Sequence, residues 1–172
     1  MRIVVKGTLA EIIVPMVELS GPKAARALRE GLYEGGAKVR TRVRRALKEQ
    51  TNVKDYGTVV ERVTDAKSGL TYIIKGDPKA VPITKFPVNS AGSVTAEPWN
   101  DARTFKRSFF KGGEPLKPMA RTTSKRFPIR RLFGPSMAKE LVKDDSLKAF
   151  EDGVGVDVMP VILKRLDRIV AG

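Results

Sequence analysis

The 172-residue sequence contains no cysteine and no histidine. Their absence excludes disulfide bonds, thiolate nucleophiles, the commonest zinc ligands and imidazole general bases. Apolar runs are also short, and none approaches the ~20 residues that a membrane-spanning helix needs. Near the N-terminus, Lys6 and Glu11 interrupt the apolar residues, which argues against a signal peptide. The sequence therefore predicts a soluble protein, made in a cytoplasm, that has no contact with a membrane.

Glycine-rich phosphate loops and metal-binding carboxylate clusters are missing as well. A phosphate loop needs several glycines at fixed offsets after a strand, but Gly35-Gly36 falls within a predicted helix and Gly112-Gly113 within a predicted turn. The acidic pairs Asp144-Asp145 and Glu151-Asp152 are adjacent residues, whose side chains point in different directions on a helix. We therefore expect no catalytic residue, no metal and no cofactor.

Positive charge is abundant, with a formal net charge of +14, and it is concentrated in two blocks. Residues 1–50 carry 11 basic and 5 acidic side chains, and residues 103–131 carry 10 basic and 1 acidic. A charge run is usually a solvated face. Like charges within two such dense blocks nevertheless repel one another. An acidic or polyanionic partner that offsets this repulsion is therefore the second interpretation.

A long amphipathic helix is predicted from Ser20 to Gln50, with Ser20 as a possible N-cap and Pro22 in its first turn. Apolar or small residues recur every three or four positions along it and form a single stripe: Ala25, Leu28, Leu32, Gly36, Val39, Val43 and Leu47. At ~1.5 Å per residue the helix would be roughly 45 Å long. Its stripe must therefore pack on the rest of a single domain.

Three glycines, Gly31, Gly35 and Gly36, lie inside this helix. Each weakens a helix by about 1 kcal/mol relative to alanine. The helix must therefore either kink at the glycines or pack closely against a neighbouring element, and close packing is the simpler interpretation.

Strands are predicted after the helix. Tyr56–Thr64 and Leu70–Gly76 have the composition of a β-hairpin, with Gly69 supplying a positive φ in the turn. Ala80–Phe86 is predicted to add a third strand, which Pro82 restricts to an edge or to the strand's beginning. Residues 87–102 have loop composition, and their Trp99 is expected to plug the core or anchor an interface.

The basic segment 103–131 predicts a second hairpin that projects as an arm, with strands at Thr104–Phe110 and Leu116–Thr122. Ser136 is a candidate N-cap after Gly134-Pro135. Helices are then expected over Ser146–Asp152 and about Asp157–Val170.

The predicted fold is α+β, with the long basic helix packed on a mainly antiparallel sheet. Residues 20–172 form one domain, which residues 1–19 precede as an arm that includes a short strand or irregular segment around Ile3–Val5. That arm continues into the apolar segment Leu9–Leu19.

Two groups of cations are candidates for an interface or a DNA-facing surface. They lie beside the helix stripe and in the basic arm: Arg40, Arg44, Lys48, Arg103, Lys106, Arg107, Lys111, Arg121, Lys125, Arg126, Arg130 and Arg131. The three helix cations are spaced four residues apart off the stripe, so we expect them to be exposed single charges. Neutral substitutions there should therefore leave folding unchanged.

Three phenylalanines, Phe105, Phe109 and Phe110, alternate with cations of the arm. Such a pattern is compatible with direct nucleic-acid binding by base stacking and phosphate contacts. Phenylalanines in such a pattern more often serve the packing of the arm itself.

Taken in order, several segments resemble the minor tail protein Z family of tailed phages and prophages, the tail completion proteins of the head-tail junction. The likeness spans roughly residues 20–170. It is found in four segments: the helix end Val39-Arg40-Thr41-Arg42-Val43-Arg44, Val81-Pro82-Ile83, the block Ala102 to Phe110, and Arg126-Phe127-Pro128-Ile129 through Gly134-Pro135-Ser136. The sequence departs from the family in residues 1–19 and in a return strand around Met119-Ala120-Arg121.

This resemblance implies a structural virion protein without catalytic residues. Such a subunit forms a homo-oligomeric ring, sixfold by the resemblance, around the channel that genomic DNA crosses. Its partners would be the tail terminator, the tail tube and the head-tail connector proteins, and its location the virion after assembly in the host cytoplasm. The alternative from the residues alone is a non-specific nucleic-acid-binding module.

Overall fold

A computed structural model describes residues 21–89, 93–112 and 117–170. The expected N-terminal arm at 1–19 and the Ser20 cap lie outside these ranges. Within them the fold is α+β, as predicted, and the long helix runs from Gly21 to Thr51.

Five helices and ten short strands make up the described chain. The helices are α1 (Gly21–Thr51), α2 (Tyr56–Arg62), α3 (Met137–Glu140), α4 (Asp144–Gly153) and α5 (Met159–Val170). The strands are β1 (Val63–Ser68), β2 (Thr71–Gly76), β3 (Ala80–Pro82), β4 (Val88–Asn89), β5 (Thr95–Ala96), β6 (Arg103–Thr104), β7 (Ser108–Lys111), β8 (Lys117–Arg121), β9 (Ile129–Arg131) and β10 (Phe133–Ser136). Short 3-10 turns cover Ile83–Lys85 and Pro98–Asn100, and a π-helical turn covers Val154–Val158.

The apolar stripe of α1 is the centre of the core. Six of its seven predicted members are buried, whereas Ala25 is only half-buried and Ala24 and Ala27 are buried instead. The helices α4 and α5 and the π-helical turn pack along α1, and the hairpin β1–β2 packs on another part of it. The stripe therefore joins the helical C-terminal part to the strands.

Close packing, rather than a kink, explains the glycines of α1, which runs without a break through all three. A Cβ on Gly35 would lie 2.7 Å from the Cα of Val158 in the π-helical turn. A Cβ on Gly36 would lie 2.6 Å from the ring of Tyr72 in β2. Both distances are shorter than a carbon contact permits, so bare backbone is required at these two positions.

The first hairpin is shorter than predicted, because Tyr56–Arg62 is a helix and not a strand. The Asp55 side chain accepts a hydrogen bond of 3.0 Å from the backbone N–H of Gly57 and caps this helix. The cap and the burial of Val59 against the core outweigh the strand propensity of the β-branched residues. The hairpin then pairs β1 with β2 around a two-residue turn, in which Gly69 has the expected positive φ, 54°.

Of the predicted third strand Ala80–Phe86, only Ala80–Pro82 (β3) is a strand. This strand pairs with β10 and not with the first hairpin. The sequence Gly134-Pro135-Ser136 therefore lies within strand β10. Ser136 precedes α3, but its side chain makes no capping hydrogen bond. The segment expected to be a loop also contains strands β4 and β5, and β5 pairs with both β4 and β6 in a small sheet.

The basic hairpin is confirmed for β7 and β8, but it has a third strand, β9, paired with β8. Its first strand begins at Ser108 because Arg107 adopts a positive φ of 57°, which breaks the extended chain after β6. The predicted C-terminal helices are present as α4 and α5. Gly153 does not separate them, since the π-helical turn continues from α4 directly into α5.

We predict that Gly35→Ala lowers the free energy of unfolding by about 1–3 kcal/mol, because the new methyl group must displace the backbone at Val158. Gly155→Ala is the matched control, since no atom lies within 4 Å of a Cβ at that position. Urea denaturation measures both. Equal stability of the two variants would contradict the close contact.

Candidate interaction surface

Two of the helix cations proposed for an interface are used inside the molecule. The guanidinium of Arg40 pairs with the carboxylate of Asp65 in β1, and both side chains are at least three-quarters buried. Arg44 donates from Nε to the carbonyl oxygen of Val63 at 3.0 Å and from Nη2 to that of Val60 at 3.2 Å. These carbonyls lie at the C-terminal end of α2, where carbonyl groups have no N–H donor within the helix. The expectation that Arg40 and Arg44 are exposed single charges was therefore wrong.

The electrostatics of this contact fit a structural role. Burial, followed by the charge of Arg40, lowers the pKa of Arg44. Burial acts to raise the pKa of Asp65, but the Tyr72 hydroxyl and the Arg40 charge outweigh it and leave this pKa below its ordinary value. Burial and the neighbouring Asp65 raise the pKa of Tyr72 to about 12. The cluster thus joins α1 to the first hairpin as a charged pair beside a neutral phenol. The third helix cation, Lys48, is half-buried.

Further ion pairs connect α1 to the C-terminal helices. Arg165 of α5 donates to Glu30 and to Glu34, each at 2.9 Å. Arg42 donates to Asp157 of the π-helical turn at 2.8 Å. Much of the charge on α1 is therefore matched within the chain.

The basic segment 103–131 differs, because its cations are exposed. All nine predicted cations of this segment lie at the surface: Arg103, Lys106, Arg107, Lys111, Arg121, Lys125, Arg126, Arg130 and Arg131. Among them, only Arg103 has an ion pair between described residues, with Asp101 at 3.1 Å. The sheet β7–β8–β9 itself contains no acidic side chain.

Strand register divides this sheet into two faces. Residues paired across neighbouring strands share a face, and Phe109 pairs with Met119, which pairs with Arg131. Counting in steps of two from these positions places four cations on the same side: Lys111, Lys117, Arg121 and Arg131. We call this side the cationic face. Lys117 was missed as a candidate from the sequence, because only the pairing with Lys111 reveals its position.

The opposite face of the sheet is turned toward the core. Ser108, Pro118 and Ala120 are buried there, and Phe110 packs against the core cluster. Arg130 has the register of this inner face but is exposed, since β9 is an edge strand. The cationic face is therefore the solvent side of a sheet whose other side is fixed.

No protein-family model, curated protein or solved structure matches this chain. Within the described residues, no helix is both long and apolar enough to cross a bilayer, and no three acidic side chains are grouped to hold a metal ion.

The phenylalanines of the basic segment serve mainly as packing groups. Phe105 and Phe110 are half-buried against the core cluster. Phe109 lies on the cationic face, but the guanidinium carbon of Arg121 sits 4.7 Å from its ring centroid and covers it. Phe127 is 63% exposed and lies in the β8–β9 loop with Arg126 beside it. The three rings that alternate with cations are thus not left open for base stacking.

Trp99 is half-buried and makes polar contacts within the chain, so its predicted role as a plug of the core is not confirmed. Its Nε1–H donates to the carboxylate of Glu140 at 2.9 Å, and Arg103 stacks over its ring at 4.7 Å. The Glu140 carboxylate is buried, and Gln50 Nε2 and Lys143 Nζ approach it at 3.4 and 3.5 Å. This acid therefore joins the end of α1, the Trp99 turn and α3. No sequence motif pointed to Glu140.

We predict that Arg44→Gln lowers the free energy of unfolding by about 1–3 kcal/mol, because the carbonyl groups of Val60 and Val63 lose their donor. Arg45→Gln is the matched control, as its side chain is exposed, and should change stability by no more than about 0.5 kcal/mol. Thermal or urea denaturation distinguishes them. An unchanged Arg44→Gln variant would restore the interface interpretation of this residue.

We also predict that Glu140→Leu costs about 1–3 kcal/mol, because the indole N–H of Trp99 loses its acceptor, whereas the Gln50 amide keeps the backbone carbonyl of residue 140. Glu140→Gln retains a carbonyl oxygen and should cost less. Trp99 is the only tryptophan, so its fluorescence reports both the unfolding transition and the local environment. Identical emission spectra and midpoints for wild type and Glu140→Leu would show that the contact contributes nothing.

Proposed function

We propose that this chain is a structural protein of a tailed-phage virion, a tail completion or neck subunit. It would form a ring between the tail terminator and the head connector, around the DNA channel. The observation that carries the proposal is the contrast between the two basic blocks. Arg40, Arg42 and Arg44 are used to build the molecule, whereas the sheet β7–β8–β9 presents unmatched positive charge to solvent. Such a surface is suited to a partner that carries negative charge.

Three further observations support a structural role. The segment that carries most of the family resemblance, Arg126 to Ser136, forms β9 and β10 and connects the cationic sheet to the core. Many carboxylates are engaged in internal pairs, including Glu30, Glu34, Asp65 and Asp157. The inner side of the exposed sheet is attached to the domain at the 3-10 turn Ile83–Lys85 and at Val94, whose N–H donates to Ser108 Oγ at 2.8 Å, as a subunit of a stacked ring requires.

The second candidate is a non-specific nucleic-acid-binding module that acts alone. It is favoured by the grouping of four cations on one face of the sheet, with Arg121 stacked on Phe109. The two candidates differ in assembly. A neck subunit has lateral contacts with copies of itself and axial contacts with tail proteins, whereas a module needs neither.

The test is assembly with the tail proteins from the same genome. We expect the purified protein to be monomeric or weakly associated alone, and to form closed rings at the end of tail tubes that carry the terminator. Light scattering measures the change in mass, and negative-stain electron microscopy shows the ring. A protein that stays monomeric and has no affinity for tail tubes or terminator contradicts the neck proposal and favours the module.

A further inference from the structure

We propose that the cationic face (Lys111, Lys117, Arg121 and Arg131) binds the phosphate backbone of double-stranded DNA without sequence preference. The inference rests on the proposed function, which would place the chain beside a DNA channel, and it names DNA as the partner of this one surface. The residues, the register and the exposure of the face do not depend on that function.

The spacing of the four cations suits a phosphate backbone. Neighbouring strands lie about 4.8 Å apart, and residues two apart on a strand are separated by about 6.7 Å. The three strands therefore spread these side chains over roughly 10 by 13 Å. Duplex DNA carries one negative charge per ~1.7 Å of its axis, so a patch of this size faces several phosphates. The guanidinium forks of Arg121 and Arg131 also match phosphate oxygens in a bidentate manner.

The covering of Phe109 favours duplex DNA over single strands. Single-strand binding without sequence preference relies on aromatic rings on which bases stack. On the cationic face the one aromatic ring, Phe109, is already covered by Arg121, while Phe105 and Phe110 are packed against the core. The exposed Phe127 lies in the β8–β9 loop and not on the cationic face, so phosphate contacts remain the main source of affinity on the face itself.

The make-up of the face favours a polyanion over an acidic protein. Protein interfaces bury apolar anchors at their centre and are depleted in lysine there. Here the central Phe109 and Met119 are only half-exposed, and two lysines, Lys111 and Lys117, stand directly opposite each other on paired strands. Like charges in that arrangement destabilise the pair of strands, and a bound phosphate would relieve the repulsion.

The experiment measures fluorescence anisotropy of a labelled 20-bp duplex of random sequence between 50 and 200 mM salt. Each phosphate contact contributes about 0.9 to the slope of log affinity against log salt. Four contacts thus account for a ~150-fold loss of affinity over this range. We expect Lys117→Gln to reduce the slope by about 0.9, and the quadruple Gln variant of the cationic face by about 3.6.

Arg130→Gln is the matched control, because it removes one exposed charge from the same sheet but from the inner-face register. We expect it to change the slope by less than half as much as Lys117→Gln. Equal effects of the two variants would mean that only net charge matters, and they would overturn the assignment to one face. A preference for single strands that persists at high salt would overturn it as well.

Lys117→Glu separates loss of binding from loss of folding. The new carboxylate lies opposite Lys111, so the strand pair gains an ion pair and the melting temperature should stay equal or rise. Duplex affinity should nevertheless fall further than in Lys117→Gln, because a repulsive charge replaces an attractive one. Retained affinity in a well-folded Lys117→Glu variant would overturn the proposal.

The quadruple variant also separates this inference from the proposed function. Rings that still form on tail tubes, together with lost duplex binding, support both proposals. Normal duplex binding with failed joining to tail proteins would show that the cationic face contacts protein, and would overturn the DNA assignment. Failure of the wild-type protein to form rings would contradict the proposed function alone, since duplex binding is measured on the isolated chain.

Discussion

Contact between the bare backbone of α1 and its neighbours is the constraint on which the rest of the structure depends. Val158 of the π-helical turn and the ring of Tyr72 approach Gly35 and Gly36 to distances that no side chain would permit. These two residues belong to different parts of the fold, yet they contact glycines that are adjacent in sequence. One turn of α1 therefore fixes both the C-terminal helices and the first hairpin, at a cost in helix propensity of about 1 kcal/mol per glycine.

Charge on α1 reinforces the same two contacts. Arg40 and Arg44 hold β1 and the end of α2, and Arg42 holds the π-helical turn through Asp157. Arg165 adds a bridge from α5 to Glu30 and Glu34. Alternating arginines in one stretch of helix thus reach opposite sides of it, because successive side chains on a helix point about 100° apart. A basic helix segment that looks like a binding surface in the sequence is, in this fold, a set of connectors.

The sheet β7–β8–β9 is packed on the domain by its inner face, and its cationic face is exposed to solvent. Its inner face packs Ser108, Pro118 and Ala120 against the domain, and β9 leads through Leu132 into β10 and the core. The exposed cations therefore lie on a sheet whose inner face is held by the domain itself. A surface of this kind retains its arrangement of charge before any partner arrives, which reduces the ordering cost of binding.

The sequence by itself determined the long helix, most of its buried stripe, the reason for its glycines, the basic hairpin and the two C-terminal helices. Each of these depends on local periodicity, on turn residues or on composition, which are readable within a window of residues. It also located the segment of unmatched charge. It did not determine the helix at Tyr56–Arg62, where a cap and burial outweighed strand propensity.

Only the tertiary structure decided which cations are available for binding. Arg40 and Lys111 look alike in the sequence, but one has Asp65 within reach from 25 residues away and the other has Lys117 opposite it. The same holds for Glu140, whose partners Gln50 and Trp99 are distant in the chain. The role of a charge is set by which groups the fold brings within a few ångströms of it, and no local pattern encodes that distance.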